Sequence, residues 1–191
     1  IYNLSVGKFT YHKFLNLKQL ARKSIGIDSE ANFQLIKIYI NQINSLNESL
    51  KSIESKIKSL MDIMDSTLTT IPGVSLFSVA TILGEIGDIS KFSSARKLIA
   101  FAGFDISISQ SGEREFHGKL VKRGSPLLRK TVWNLVMSTI RFIPQITEYY
   151  HIKKRQGKHH KVACASISRK LIRLFYHLES NKIEFDIKQY R

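Results

Sequence analysis

Apolar residues recur every seven positions along the first third of the chain. Ile36, Ile43, Leu50, Ile57 and Met64 form one series, and Tyr39, Leu46, Ile53 and Leu60 interleave three residues after each of the first four. The positions between are mostly Asn, Ser, Lys, Glu and Gln, and no Gly or Pro interrupts residues 31–66. A narrow seam sustained over four heptads predicts one long helix whose a and d positions pack against a partner helix, a coiled coil. The other reading of the same stripe is an amphipathic helix lying on its own domain. Ile38, Ile40, Met61 and Ile63 add apolar surface beside the seam and predict packing on more than one side at the two ends.

The remaining pattern is also mainly helical. Leu15, Leu17, Leu20 and Ala21 predict a short helix stopped by Gly26, with Asp28 or Ser29 capping the next. Ile71-Pro72-Gly73-Val74 leads into the apolar run to Ile86, which reads as the second half of a helix-hairpin-helix or as an ordinary connection between core helices. Ser93 or Ser94 starts a helix over 95–102, with Leu98, Ile99 and Phe101 on its apolar face and Gly103 closing it. Polar and apolar residues then alternate over 105–109, which predicts one arm of a short hairpin with 115–119. Ser125 and Pro126 mark a helix start, and Leu127, Leu128, Val132, Leu135, Val136, Thr139 and Ile140 share one face before Pro144 breaks the run. Helix resumes to Arg155, and a last helix spans 161–178 after Gly157, with Val162 on its apolar face. The tail, 181–191, is expected to be weakly ordered. The predicted fold is therefore mostly α: a long coiled-coil helix, then a compact helical domain with a helix-hairpin-helix-like segment and at most a short β-hairpin. The expected divisions are 1–30, 31–66, 67–180 and 181–191.

Charge changes this picture. Lys and Arg number 30 against 15 Asp and Glu, a net +15. Residues 1–70 hold nine basic and six acidic residues, whereas 71–191 hold 21 and nine. A surplus so placed predicts a polyanionic partner, nucleic acid first and an anionic membrane surface second. No apolar run approaches the roughly 20 residues of a membrane span, and a single cysteine, Cys164, excludes an internal disulfide and suits a reducing cytoplasm. Ile1 rather than Met opens the chain, so a piece of something longer is expected.

Candidate chemistry concentrates between Gly103 and Arg129. Ser111 stands before Gly112, which would let a large substrate approach its hydroxyl. The backbone N–H groups at the Ser125-Pro126 helix entry, beside Lys122, Arg123 and Arg129, predict a phosphate site. Ser111 reads either as a nucleophile toward a phosphate backbone or as a turn residue, and a nucleophilic serine needs a base, for which His117 and Asp105 are the nearby options. A second basic run, with eight Lys or Arg between Lys153 and Arg173, lies beside Tyr149 and Tyr150. It predicts either a backbone clamp with base stacking or a solvated helix face. His159-His160 reads as a surface pair, since no Cys or carboxylate stands at ligand spacing. There is no Walker loop, no G-x-G-x-x-G and no G-x-S-x-G, and no acidic cluster of two-metal type.

The order of these motifs is specific: I-P-G-V at 71–74, E-I-G-D-I at 85–89, K-L-I-A-F-A-G at 97–103, Q-S-G at 110–112, K-R-G-S-P-L-L-R at 122–129 and Y-Y-x-x-K at 149–153. The chain resembles the C-terminal half of the DEDD-type insertion-sequence transposases, relatives of the Piv and MooV DNA invertases also called bridge-RNA-guided recombinases. The resemblance implies a DNA transposase fragment whose serine, Ser111 by motif, becomes joined to DNA. It implies phosphate contacts from Lys122, Arg123, Gly124 and Arg129, and the basic residues Arg114, Lys119, Lys153, Lys154, Arg155, Lys158 and Lys161 are the further expected nucleic-acid contacts. Ser125 stands where many relatives carry Asn, which disfavours it as nucleophile. DNA, a structured guide RNA and a homo-oligomer through 36–64 are the implied partners, in the cytoplasm. The family's RuvC-like domain, which would hold Mg²⁺, is absent from these residues, so residues 1–30 read as a linker remnant and no cofactor is expected in this chain. The competing expectation is a non-catalytic nucleic-acid-binding and dimerisation module.

The heptads predict that the chain self-associates through 36–64. Sedimentation of the 191-residue chain should give a multimer, and a monomeric mass would overturn the coiled coil.

Overall fold

The structure, a computed structural model, describes residues 9–24, 26, 29–111, 114–121 and 123–190. The chain divides into two compact units, Ile1–Lys51 and Ser52–Arg191. In the first, α1 (Tyr11–Arg22) begins at Thr10, whose side chain accepts from Lys13 N. Ser29 opens α2 (Glu30–Met64), its Oγ accepting from Asn32 N at 3.3 Å. Asp28 lies outside the described residues.

The 35 residues of α2 run without a break, as the uninterrupted heptads require. Every a and d residue from Ile36 to Met64 is exposed except Ile57, which is half-buried. The seam is therefore left largely uncovered. Met61 alone in α2 is buried. Of the four residues expected to pack beside the seam, Met61 is buried and Ile40 half-buried, whereas Ile38 is 51% and Ile63 80% exposed.

The second unit is a helical cluster. A four-residue 3-10 turn (Thr67–Thr70) leads to a β-turn at Ile71–Val74, with Val74 N donating to Ile71 O at 3.1 Å. Gly73 takes φ 82° there, the value that the position after proline needs in a type II turn. The turn seats against the next long helix, because Ser138 Oγ donates to Gly73 O at 2.5 Å. Ser75 caps α3 (Leu76–Ile86), the segment expected to be the second half of a helix-hairpin-helix. The element before its turn is the short 3-10 helix. Asp88 caps another 3-10 turn, and α4 (Ala95–Phe101) follows.

Strands β1 (Ile106–Ser111) and β2 (Arg114–Leu120) pair antiparallel, the hairpin expected from the alternation. Three helices complete the unit: α5 (Pro126–Phe142), α6 (Pro144–Arg155) and α7 (His160–Asn181). Pro144 ends α5 and opens α6, since a first-turn proline leaves no N–H unpaired. α5 and α7 pack on each other and both pack on α6, while α3 lies on α5 and α4 on α7. Leu128, Val132, Leu135 and Val136 of α5 meet Ile167, Leu171, Ile172 and Phe175 of α7 in one core cluster. Three expected core residues are instead exposed: Phe101, Leu127 and Val162. Each falls at an end of its helix, where the apolar stripe has run past the surface it packs on.

The tail corrects the expectation of weak order. Phe185 N donates to Thr70 Oγ1 at 2.8 Å, and Gln145 Nε2 donates to the Ile187 carbonyl at 2.6 Å. Phe185 and Tyr190 pack against the core. Buried Glu179 ties the same region down, its Oε2 accepting from Ser66 and Thr67 hydroxyls at 3.0 Å and its Oε1 from Lys182 at 2.8 Å. Aromatic anchors and backbone groups with partners give this short segment enough contact to offset its ordering entropy.

Tyr190 places a hydroxyl in this packing with no hydrogen-bond partner among the described residues. Burial, and then Tyr149, push its pKa from 10 up to about 12. A raised folded pKa means that the packing is intact below pH 10 and loses stability as pH rises from 10 toward 12. Tyr190→Phe should therefore leave stability at pH 7 unchanged, or raise it by up to about 1 kcal/mol, and remove the alkaline loss. Thermal unfolding at pH 7 and across the alkaline range measures both; a lower Tm at pH 7 would show that the hydroxyl is bonded after all.

Candidate nucleic-acid interface

The hairpin is held at its base by backbone packed on backbone. The chain leaves α4 through Gly103 (φ 73°), forms the hairpin, and returns through Gly124 (φ 110°) into α5. Ser125 N donates to Phe101 O at 2.9 Å, and Val121 N to Asp105 O at 2.8 Å. A Cβ on Gly124 would stand 2.0 Å from Phe101 O, and one on Gly103 would stand 2.7 Å from Arg123 O and 2.2 Å from Arg129 Nη1. Both glycines thus serve the crossing of the two chain segments. For Gly124 the close approach is a structural reason for glycine that the sequence did not reveal.

The entry to α5 differs from the phosphate site expected there. Ser125 Oγ accepts from Leu128 N at 3.0 Å and donates to Glu85 Oε2 at 2.5 Å. The half-buried Glu85 carboxylate thus reaches the positive end of the helix from α3. The chain supplies its own anion at this position, and a phosphate brought onto the same N–H groups would meet like charge. Glu85 was legible only as part of the E-I-G-D-I motif, because a contact 40 residues away in sequence has no local signal.

Cations do converge close by. A cleft of about 370 Å³ is lined by Arg129, Lys130, Trp133 and Lys161 together with Phe104, Leu120 and Pro126. Arg129, Lys130 and Trp133 fall within one turn of α5, and Lys161 comes from the first turn of α7. Arg129 is anchored by Nη1 donating to Ala102 O at 3.4 Å. Among the described residues no carboxylate lines the cleft. Arg129 and Lys161, 32 positions apart, are the two expected binding residues that the fold brings together here. Lys130 and Trp133 were not expected; their spacing from Arg129 along a helix was the available signal.

The other expected residues scatter around this centre. Ser111 ends β1 opposite Arg114 in the strand register, and Lys119 lies in β2. His117 pairs with Ile108, so the register does not set it opposite Ser111. Lys122 lies outside the described residues, and Arg123 is exposed at the hairpin exit. Lys153, Lys154 and Arg155 occupy the last turn of α6, with Lys158 in the turn that follows.

The tyrosines beside that run are not open stacking faces. Tyr149 is half-buried with Lys153 Nζ 5.2 Å and Lys170 Nζ 5.0 Å from its ring centre, which are cation–π distances. Tyr150 shares a hydrogen bond of 2.9 Å with His160 Nδ1. His159 has a separate part, capping α7 by accepting from Lys161 N at 3.2 Å. The expected surface pair is thus one cap and one packed ring. Burial pushes the Cys164 thiol pKa up, which keeps it protonated beside His160.

A larger cavity of about 570 Å³ lies between α2 and α3, lined by apolar residues such as Leu60, Met64, Phe77 and Leu127. It contains no cation and does not suit a phosphate. Among the described residues no group of three or more His, Cys, Asp or Glu could hold a metal ion. No helix among them is long and apolar enough to cross a membrane.

Residues 65–151 match the model of the transposase IS116/IS110/IS902 family. The match runs from the end of α2 into α6, so it contains the hairpin, the two glycines and the α5 side of the cleft. It supports a transposase domain of this type over those residues. Lys161 and the rest of α7 lie beyond it. No curated protein matched the chain.

The glycine crossing makes a direct prediction. Gly124→Ala combines a strained φ with a clash against a carbonyl, and should cost about 2–5 kcal/mol of stability. Gly157→Ala, with a similar φ of 73° but open space around it, should cost about 1–2 kcal/mol. Urea unfolding of both variants compares them, and equal losses would show that the close approach is not what requires Gly124.

Proposed function

We propose that this chain is the DNA-binding and strand-joining part of a transposase or recombinase, with Ser111 as its nucleophile. The observation that carries the reading is the gathering of Arg129, Lys130 and Lys161 around one cleft at the base of the hairpin that bears Ser111. The match over 65–151 supports the same class. In this reading the cations hold backbone phosphates, and the run from Lys153 to Lys158, exposed from Lys154 on, extends the track.

Attack by the Ser111 oxygen on a backbone phosphorus makes one phosphoester bond as the strand's own P–O bond breaks. The serine proton leaves to a base, and the departing strand oxygen takes up a proton. One phosphoester replaces another, so no external energy source is needed. The resemblance implies a Mg²⁺ ion for the whole protein. We assign that ion to a separate RuvC-like domain of the DEDD type and route no step through it here.

The exposed α2 seam supports self-association, which would set two hairpins in one assembly. A structured guide RNA is a second polyanion for the same basic surface. A cytoplasmic location accompanies a DNA substrate.

Fluorescence anisotropy with labelled duplex tests binding. The logarithm of affinity should fall linearly with the logarithm of salt, and Lys130→Gln with Lys161→Gln should reduce that slope by roughly 2. An unchanged slope would take the cleft out of the interface. In a protein that also carries the metal domain, Ser111→Ala should abolish strand exchange while leaving the fold intact. Unchanged recombination would remove Ser111 from the chemistry and leave a binding module.

A further inference from the structure

Phosphates on the outside of a duplex are held by surface cations, and such contacts need no cavity. The cleft beside the hairpin is more than a cationic surface. Its volume of about 370 Å³ falls within the roughly 300–1,000 Å³ of small-ligand sites. Most of its lining is apolar: Phe104, Leu120, Pro126 and the half-buried ring of Trp133. Arg129, Lys130 and Lys161 complete that lining. An apolar, aromatic recess combined with cations matches a nucleotide, which has a flat ring at one end and an anion at the other.

We propose that this cleft takes one unpaired nucleotide, with its base against Trp133 and its flanking phosphate against Arg129, Lys130 and Lys161. The proposal rests on reading the surface as a nucleic-acid interface and specifies what that interface selects. A base inside a duplex is covered on both faces and paired at its edge, so it cannot enter a recess without leaving the stack. A nucleotide at a strand opening, a nick or a loop can enter at little cost. The site therefore favours opened or single-stranded nucleic acid over intact duplex.

Trp133 suits this part by position. It stands four residues after Arg129 and three after Lys130, so ring and cations share one side of α5. Tyr149 and Tyr150 are already engaged by Lys153, Lys170 and His160, and Phe104 is fully buried, which leaves the half-buried indole as the more accessible of the two aromatic rings lining the basic recess. Unpaired DNA and unpaired RNA offer the same chemistry to such a recess.

Trp133 is the single tryptophan of the chain, so its emission reports the cleft directly. The 191-residue chain would be titrated with oligothymidylate, with oligouridylate, with a thymidylate strand containing abasic positions, and with a blunt duplex of equal phosphate count. Anisotropy reads binding and indole emission reads stacking. Single strands should bind and quench; duplex and abasic strands should bind with little quenching. Quenching by thymidylate alone identifies DNA as the source, by uridylate alone RNA, and by both a site that accepts either. Trp133→Leu should weaken single-strand binding about tenfold and leave duplex binding within about twofold. Binding of single strands without quenching, or equal quenching by duplex, overturns the proposal while the interface stands. No binding of any nucleic acid overturns both. If Trp133→Leu fails to fold, the comparison of intact with abasic strands decides alone.

Discussion

The contact between Gly124 and the Phe101 carbonyl is the constraint on which the rest of the candidate site depends. Two chain segments about twenty residues apart meet there with no side chain between them, joined by the hydrogen bond from Ser125 N to Phe101 O. That meeting closes the base of the hairpin, sets the start of α5, and places Arg129 beside Ala102 and Gly103. A side chain at either glycine would push α5 away from α4, and the turn of α5 that supplies three cleft residues would move with it. The glycines thus contribute indirectly, by allowing the backbone to come close enough for other residues to converge.

Electrostatics then divides the neighbourhood into two parts. At the entry of α5 the helix dipole is met from within, by Ser125 and the Glu85 carboxylate. One turn further on, Arg129 and Lys130 line one cleft with Lys161, and no carboxylate among the described residues joins them. Both parts are needed for selectivity. An uncompensated helix end would attract any small anion, whereas separate cations around an apolar recess favour a ligand that extends from phosphate to ring. The strong positive charge of residues 71–191 acts at longer range, drawing a polyanion toward the surface before any of these contacts form.

The long helix has a different physical basis. Its apolar seam is exposed almost throughout, and only Ile57 and Met61 reach the core of the second unit. An exposed row of Ile, Leu and Tyr at heptad spacing is costly in water and makes sense as a surface to be covered. The partner that covers it is a second copy in the reading advanced above. The tail supplies the opposite case, an apparently polar end that proves to be packed, because Phe185 and Tyr190 find a surface built by α7 and α6.

What the sequence by itself determined was everything governed by short-range rules. The heptads set α2, the Ser125-Pro126 pair set the start of α5, Gly103 and Pro144 set helix ends, and alternation set the hairpin, because each depends on neighbours within about one turn or one strand. The proposal of Ser111 rests on the order of motifs around it, since no local rule separates a nucleophile from a turn residue. The tertiary structure alone decided which charges share a cleft. Arg129 and Lys161 converge while Lys153, Lys154 and Arg155 do not line it, Glu85 reaches Ser125 across 40 residues, and the tyrosines are closed by lysine and histidine. The physical reason is that periodicity states which face of a helix is apolar and leaves open which helix will lie against it. Convergence of polar groups depends on that second fact.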